Sequence, residues 1–200
     1  MAPKKRKGKM KRPNKLNLAH LPTPLEKIRF QGKEFLIKRD DYTGSDLLGN
    51  KVRKLEYLLF EAKKEKADII FTCGGEQSNH ARATASSAAR LGIKTKLYLW
   101  GTESKNVEGN LFLDKMYGSE IVYLNKSEFS KVDELMMEER LELVKKGKKV
   151  YVIPAGGSST LGIWGYIDFV RELKKQINIQ LIDGIFSGSK IFFLPPTIIV

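Results

Sequence analysis

Between Lys51 and Lys174 the apolar and polar positions change period again and again, from helical spacing to short continuous apolar runs and back. Val52, Leu55, Leu58, Leu59 and Ala62 fall on one helical face with Lys and Glu opposite. A helix is therefore predicted from Lys51 onward, with Asn50 as its N-cap. Asp68 to Cys73 (DIIFTC) reads as a buried strand, and the Ala-rich stretch from Ser78 to Leu91 as a helix stopped at Gly92. The alternation continues with a strand over Lys94 to Trp100, a helix near Asn110 to Tyr117, and a strand over Glu120 to Leu124. A helix around Val132 to Lys146, a strand over Lys149 to Ile153 and a helix over Leu161 to Lys174 complete it. This βαβα order predicts an α/β fold, a parallel twisted sheet with helices on both faces. Ligands in such sheets sit at the carboxyl ends of the strands. Two unusual loops, Gly74 to Asn79 and Pro154 to Ser159, follow strands there.

Outside that core the pattern is different. Leu21-Pro22-Thr23-Pro24-Leu25 is a proline-punctuated extended segment, and Glu34 to Lys38 (EFLIK) alternates as a strand. Arg39 to Gly44 breaks it with turn chemistry, so Asp40-Asp41 reads as a turn former rather than an acid–base pair. Residues 176–200 leave the rhythm and end in an apolar string, Ile191 to Val200, of a kind expected only where a strand is paired. The chain thus divides into a basic tail (1–17), a lead-in segment (18–50), an α/β domain (51–160) and a helix with an atypical apolar remnant (161–200).

Composition narrows the classes. An apolar fraction of 42% and a charged fraction of 30% in 200 residues are those of a soluble globular chain with one good core. No apolar run is long enough to span a bilayer, and no secretory signal is visible. One cysteine, Cys73, and two histidines, His20 and His80, leave no disulfide and no expected metal site, so the chain reads as cytoplasmic. The net charge of +13 points at nucleic acid until its distribution is read. Eight basic residues from Lys4 to Lys15 precede the first acid, Glu26, and without them 28 basic stand against 23 acidic residues, or +5. The tail reads first as a solvated, disordered extension. Nuclear import through Pro3-Lys4-Lys5-Arg6-Lys7, organellar targeting, and salt-sensitive nucleic-acid contact are its other readings.

Three stretches carry candidate chemistry. In Gly49-Asn50-Lys51-Val52-Arg53-Lys54 a lysine opens a helix, where the positive end of the macrodipole disfavours its protonated form. A lysine that attacks carbonyls needs its free amine, so the setting suits Lys51, and Lys54 three residues on shares its face and could meet an anion. By local pattern alone, however, Lys51 is one lysine among many. In Gly74-Gly75-Glu76-Gln77-Ser78-Asn79-His80 the glycines allow close backbone approach and a helix start supplies N–H groups for a carboxylate or phosphate. Capping would explain Ser78 or Asn79 singly but not the whole group. Gly156-Gly157-Ser158-Ser159 is a phosphate loop, a substrate rim or a plain connection, and pattern does not separate these. Cys73 reads as a core residue, and Trp164 and Tyr166 as packing groups.

Several segments together resemble a known family. Leu21 to Leu25 (LPTPL), Ile37 to Asp41 (IKRDD), Gly49 to Glu56 (GNKVRKLE), Gly74 to Arg82 (GGEQSNHAR), Ile153 to Gly157 (IPAGG) and Leu161-Gly162 through Gly165-Tyr166 occur in order at fitting spacings, covering Leu18 to Lys175. The chain is similar to the fold-type-II, tryptophan synthase β-like pyridoxal-phosphate enzymes that include D-cysteine desulfhydrases and 1-aminocyclopropane-1-carboxylate deaminases. The resemblance implies pyridoxal 5'-phosphate as cofactor, a small amino acid as substrate, and a homodimer as a compatible assembly. It implies that Lys51 holds the cofactor covalently, that Asn50 and Lys54 help, and that Asn79 meets the ring hydroxyl. Ser78 is then a proton-transfer or nucleophilic group near the substrate, with Asn79, His80 and Gly157 around it. It places 18–50 in the large cofactor domain and 51–160 in the small domain.

His80 favours desulfhydrase, with D-cysteine giving pyruvate, ammonia and sulfide, because the cyclopropane deaminases tend to carry glutamine at that place. The later half of the family pattern, with its Gly-rich phosphate loop and substrate-contacting tyrosine, is not recognisable, which implies a truncated or internally deleted member. A non-catalytic remnant and a basic-tailed binding protein are the competing readings.

Overall fold

The structure is a computed structural model in which residues 11–44, 49–103, 107–182 and 184 are described. Its first element pair is an antiparallel hairpin, β1 (Leu25–Phe30) and β2 (Lys33–Lys38), with Leu25 opposite Lys38 and Phe30 opposite Lys33. Gln31 and Gly32 both take positive φ (48° and 76°), as a two-residue hairpin turn requires. The sequence reading found β2 but not β1, whose polar and apolar positions do not alternate cleanly.

The α/β core follows the predicted order closely. Helix α1 (Lys51–Lys64) leads to β3 (Ile69–Gly75), α2 (Asn79–Arg90), β4 (Lys94–Trp100), α3 (Gly109–Met116) and β5 (Glu120–Leu124). A short α4 (Lys126–Phe129), α5 (Val132–Lys145), β6 (Val150–Val152) and α6 (Ile163–Gln176) complete it. The unpredicted α4 rests on a capping box in which Asn125 and Glu128 satisfy each other's backbone N–H groups. The four long-range strands are parallel in the order β5-β4-β3-β6.

Alternate residues of these strands serve opposite faces. Phe71, Cys73, Tyr98, Leu124 and Val150 pack on Phe129, Val132 and Met136 of α4 and α5. On the other face Ile70 meets Val52, Leu55, Leu59 and Ala62 of α1 together with Ala83 and Ala88 of α2, and Leu97 and Leu99 meet Ala81, Ala85 and Leu111. The apolar face predicted for α1 is the one buried. Each of its leucines contributes about 1.5–3 kcal/mol by leaving water.

Two features correct the sequence reading. Asp40 is more than a turn former. It begins a 3₁₀ turn (Asp40–Tyr42), but its carboxylate is buried and takes two hydrogen bonds from Arg53, at 2.8 Å each. Arg53 also reaches both oxygens of Glu172 on α6 (3.0 and 3.1 Å) and Thr23 Oγ1 (3.1 Å), while buried Lys38 pairs with Glu172. Nor is the stretch from Arg12 free. Arg12 pairs with Asp168 and Lys15 with Glu56, whose Oε1 accepts the N–H groups of Leu18 and Ala19 at 3.0 Å. A basic segment beside the acids of α1 and α6 gains partners there that composition could not show.

The basic stretch at Pro3 to Lys7 and the apolar end at Ile191 to Val200 lie outside the described residues. Among those that are described, no helix is long and apolar enough to cross a membrane.

Candidate functional site

Strands β3 and β6 pair in parallel, Ile69 with Val150 and Phe71 with Val152, so the loops leaving their carboxyl ends emerge side by side. The start of α1 is held against the same edge by α6. Gly165 makes this approach feasible, since a Cβ there would lie 2.5 Å from the Arg53 carbonyl carbon. Tyr166 thereby comes within reach of Asn50, whose Nδ2 donates to the tyrosine hydroxyl at 2.7 Å. Asn50 has helical φ and ψ and makes no side-chain cap, so the expected N-cap role is replaced by this bond.

Lys51 is the first residue of α1 and is partly buried. Burial lowers its amine below the ordinary lysine range, and no carboxylate pairs with it among the described residues. Lys54 is lowered too, by burial first and then by the charge of Lys51. Its Nζ donates to the Gly156 carbonyl at 3.0 Å, lies 3.5 Å from Ser158 Oγ, and sits over the Tyr166 ring at 5.4 Å. Lys54 thus fastens the β6–α6 loop to α1.

At the start of α2, Ser78 does cap: its Oγ accepts the Ala81 N–H at 3.2 Å. Gly74 leaves room for it, because a Cβ there would come within 2.5 Å of that oxygen. Asn79 is exposed, and its Oδ1 accepts from Asn110 Nδ2 at 2.9 Å.

His80 points inward and is 4% exposed, with Nε2 3.0 Å from Thr72 Oγ1 and Nδ1 without a hydrogen-bond partner of normal geometry. Burial, then the charges of Lys51 and Lys54, bring its imidazole down to about 3, against a weak opposite pull from the Pro154 backbone. His80 is therefore neutral at ordinary pH. The cysteine nearby, Cys73, is buried, and its thiol is pushed up to about 11, mainly by burial. It is a core residue, not a nucleophile.

Gly157 closes the group. It has φ +63°, and a Cβ there would stand 3.2 Å from Leu58 Cδ1, 3.4 Å from Lys54 Cδ and 3.5 Å from His80 Cε1. The fold therefore brings Lys54, His80 and Gly157 into one place, with Lys51 close enough to act on the charge of both neighbours. Ser78 and Asn79 adjoin them through the first turn of α2. Tyr166, Thr72 and Asn110 were not found as members of this cluster. Tyr166 had read as packing, and nothing in the local sequence distinguishes Thr72 from any strand threonine.

Chemically, the site offers two lysines that release protons more readily than usual, beside a helix start whose free N–H groups favour an anion. Comparison with known proteins places the chain in a family. A family profile described as "Pyridoxal-phosphate dependent enzyme" matches residues 16–190. A Thermotoga maritima relative is 45% identical over 175 residues, which is 86% of this chain and 56% of that one. The "Bifunctional D-cysteine desulfhydrase/1-aminocyclopropane-1-carboxylate deaminase, mitochondrial" of Arabidopsis thaliana is 43% identical over 82% of this chain and 44% of its own length. A solved structure described as an "ACC deaminase homologue" superposes with a TM-score of 0.76 at 38% identity, covering 84% of this chain and 52% of that one. The chain spans about half the length of the relatives it matches.

Proposed function

The chain belongs to the family of pyridoxal-phosphate-dependent enzymes, and on that premise we propose that it is a lyase of small amino acids, of the D-cysteine desulfhydrase type, with Lys51 holding the cofactor. The observation that carries the proposal is the setting of Lys51: a partly buried amine of weakened basicity at the first turn of α1, its charge felt by a neutral His80 and paired with no carboxylate among the described residues. An amine must be uncharged to react with the cofactor's aldehyde, and this environment favours that state. Gly157 lets the β6–α6 loop backbone approach closely, since a Cβ there would stand 3.2 Å from Leu58 Cδ1, 3.4 Å from Lys54 Cδ and 3.5 Å from His80 Cε1. The residues present fit the group.

Pyridoxal phosphate supplies, when bound, an electron sink for the Cα bond of an amino acid. The chain's own groups do the rest. Lys51 Nζ, once free, accepts the Cα proton, and Ser78 Oγ is the nearby hydroxyl for proton transfer to the substrate. The N–H groups at the start of α2, around Ser78, Asn79 and His80, receive the substrate carboxylate. His80 takes part through its backbone, because its imidazole is buried against Thr72. Asn50 and Lys54 hold the surrounding frame, through Tyr166 and Gly156. In this reading 18–50 and α6 belong to a larger cofactor domain and the sheet to a smaller one.

Gln77-Ser78-Asn79-His80 supports D-cysteine as substrate, with hydrosulfide as the leaving group. A second reading, 1-aminocyclopropane-1-carboxylate as substrate, is favoured by the dual name of the Arabidopsis relative. Titration of the purified protein with pyridoxal phosphate tests the first step: a new visible absorbance band is expected, and Lys51→Ala should lose it. No band at saturating cofactor would sink the proposal. Sulfide release from D-cysteine against ammonia release from the cyclopropane acid then decides between the substrates.

A further inference from the structure

Asn110 opens α3 beside the β3–α2 loop and is tied to it by three hydrogen bonds. Its backbone N–H donates to Gln77 Oε1 at 2.9 Å, and its Nδ2 donates to both the Gln77 carbonyl and Asn79 Oδ1, each at 2.9 Å. Gln77 Nε2 in turn donates to the Glu108 carbonyl at 3.2 Å. Gly109, with φ +59°, has no space for a Cβ beside the Gln77 side chain. Four residues from two separate elements thus close into one latch.

The two ends of an amide side chain have nearly the same outline, and only partners of fixed role decide which end points where. A backbone carbonyl can accept but not donate. The Gln77 carbonyl therefore requires the nitrogen end of Asn110, and the Asn110 backbone N–H requires the oxygen end of Gln77. With Asn110 Nδ2 fixed as a donor, its second partner on Asn79 has to be the oxygen. The Asn79 nitrogen is then turned away from the latch, with no acceptor holding it among the described residues. Asn79 is exposed past the carboxyl end of β3, directly between the Ser78 cap and His80.

We propose that Asn110 is a positioning residue that locks Asn79 in one of its two amide orientations, so that Asn79 offers an N–H rather than a carbonyl to a bound ligand's oxygen. The inference rests on the reading of this loop as the cofactor site and adds the polarity of what Asn79 recognises. An electron-rich oxygen, such as the ring oxygen of pyridoxal phosphate, is bound, and a donor group at that place is rejected. The energetic logic is that of any site built around one donor: the wrong end of the amide would face oxygen with oxygen and leave both without a hydrogen bond.

Asn110→Asp tests this, because a carboxylate cannot donate to the Gln77 carbonyl and would draw the Asn79 nitrogen toward itself. Pyridoxal phosphate is titrated into wild type, Asn110→Asp, Asn79→Ala and the double variant, following both the dissociation constant and the ratio of visible to near-ultraviolet absorbance of the bound cofactor. Asn110→Asp is expected to weaken binding about tenfold, or about 1.4 kcal/mol, and to change the absorbance ratio. Added to Asn79→Ala it should weaken binding by less than about twofold, as coupled residues behave. Equal losses in both backgrounds would mean that Asn110 only supports α3, and the proposal would fall; so would an unchanged affinity in Asn110→Asp.

If circular dichroism shows that Asn110→Asp does not fold, Asn110→Ser replaces it. Its single hydroxyl proton can serve only one of the two acceptors, and a smaller loss, again confined to chains that keep Asn79, is expected. Should wild type itself fail to bind pyridoxal phosphate, the proposed function falls and this inference with it. Should wild type bind but the coupling be absent, only this inference falls.

Discussion

Helix α1 carries buried charge on two sides, and the two sides are built in opposite ways. Toward α6 and the β-hairpin, Arg53 is matched by Asp40 and Glu172, and Lys38 shares Glu172 and the Thr23 carbonyl, so every charge has a partner. Toward the loops at the carboxyl ends of β3 and β6, Lys51 has no carboxylate partner among the described residues, Lys54 meets a backbone carbonyl, and His80 is neutral. The first arrangement holds the helix in place. The second leaves two lysines of weakened basicity without a carboxylate, the setting on which the proposed cofactor role of Lys51 rests. A buried pair is costly to break because the remaining partner is stranded without water, whereas an unpaired group of weakened basicity can be removed at little structural cost. The paired charge and the proposed cofactor lysine are thus separated by less than one helical turn.

The largest effect expected from breaking this contrast is on the paired side. Arg53→Met should destabilise the protein by about 3–5 kcal/mol in urea unfolding, since it strands the buried Asp40 carboxylate and leaves Glu172 with Lys38 alone. A loss below about 1 kcal/mol would show that the cluster does not anchor α1. Gly165→Ala acts at the same contact by forcing α6 off α1, and a loss of about 1–3 kcal/mol is expected from overpacking.

The pH dependence sharpens the comparison further. Burial opposes ionisation of Glu172, but hydrogen bonds from Arg53 and Lys38 outweigh it and bring the carboxyl down to about 2 from 4.5. Its stabilisation is present above about pH 4.5 and is lost as pH falls toward 2. His80, lowered from 6.5 to about 3, makes no difference above 6.5. Below that the unfolded chain takes up a proton that the native chain refuses, so stability falls by about 1.4 kcal/mol per pH unit. His80→Gln should remove this limb between pH 6 and 4, as read from urea midpoints.

Asp114 runs the other way. It is fully buried on α3 with neither oxygen hydrogen-bonded, and burial raises its carboxyl to about 7, with Arg82 opposing. Its native-state preference for the proton costs stability as pH rises from about 4 to 7, and Asp114→Asn should flatten that slope. The smallest structural effect belongs to Lys51. Lys51→Ala should change urea stability by less than about 0.5 kcal/mol while abolishing the cofactor absorbance entirely. A large loss of stability would mean that the lysine is a structural residue after all.

Much of this molecule can be read along the chain. The strands at Lys94–Trp100 and Glu120–Leu124 lie where the apolar runs predicted them, and the α1 face was legible residue by residue. Those patterns are visible because burial on a sheet or a helix imposes its own period. The hairpin strand β1 escaped because its mixed burial leaves no alternation, although Gln31-Gly32 was a turn signal. At the site, the glycine-bounded loops were conspicuous and Lys51 was not. Only the order and spacing of several motifs together singled it out.

The sequence by itself determined the α/β order, the helix faces and the two loops at the strand ends, because each depends on residues close together in the chain, and the family resemblance, because motif order is itself a property of the chain. Tertiary structure alone decided which charges are paired. Arg53 meets Glu172 across 119 positions and Asn110 meets Asn79 across 31, while Lys51 is left with no carboxylate partner among the described residues. The physical reason is that pairing, burial and proton affinity depend on distance in space, and a one-dimensional pattern carries no record of it.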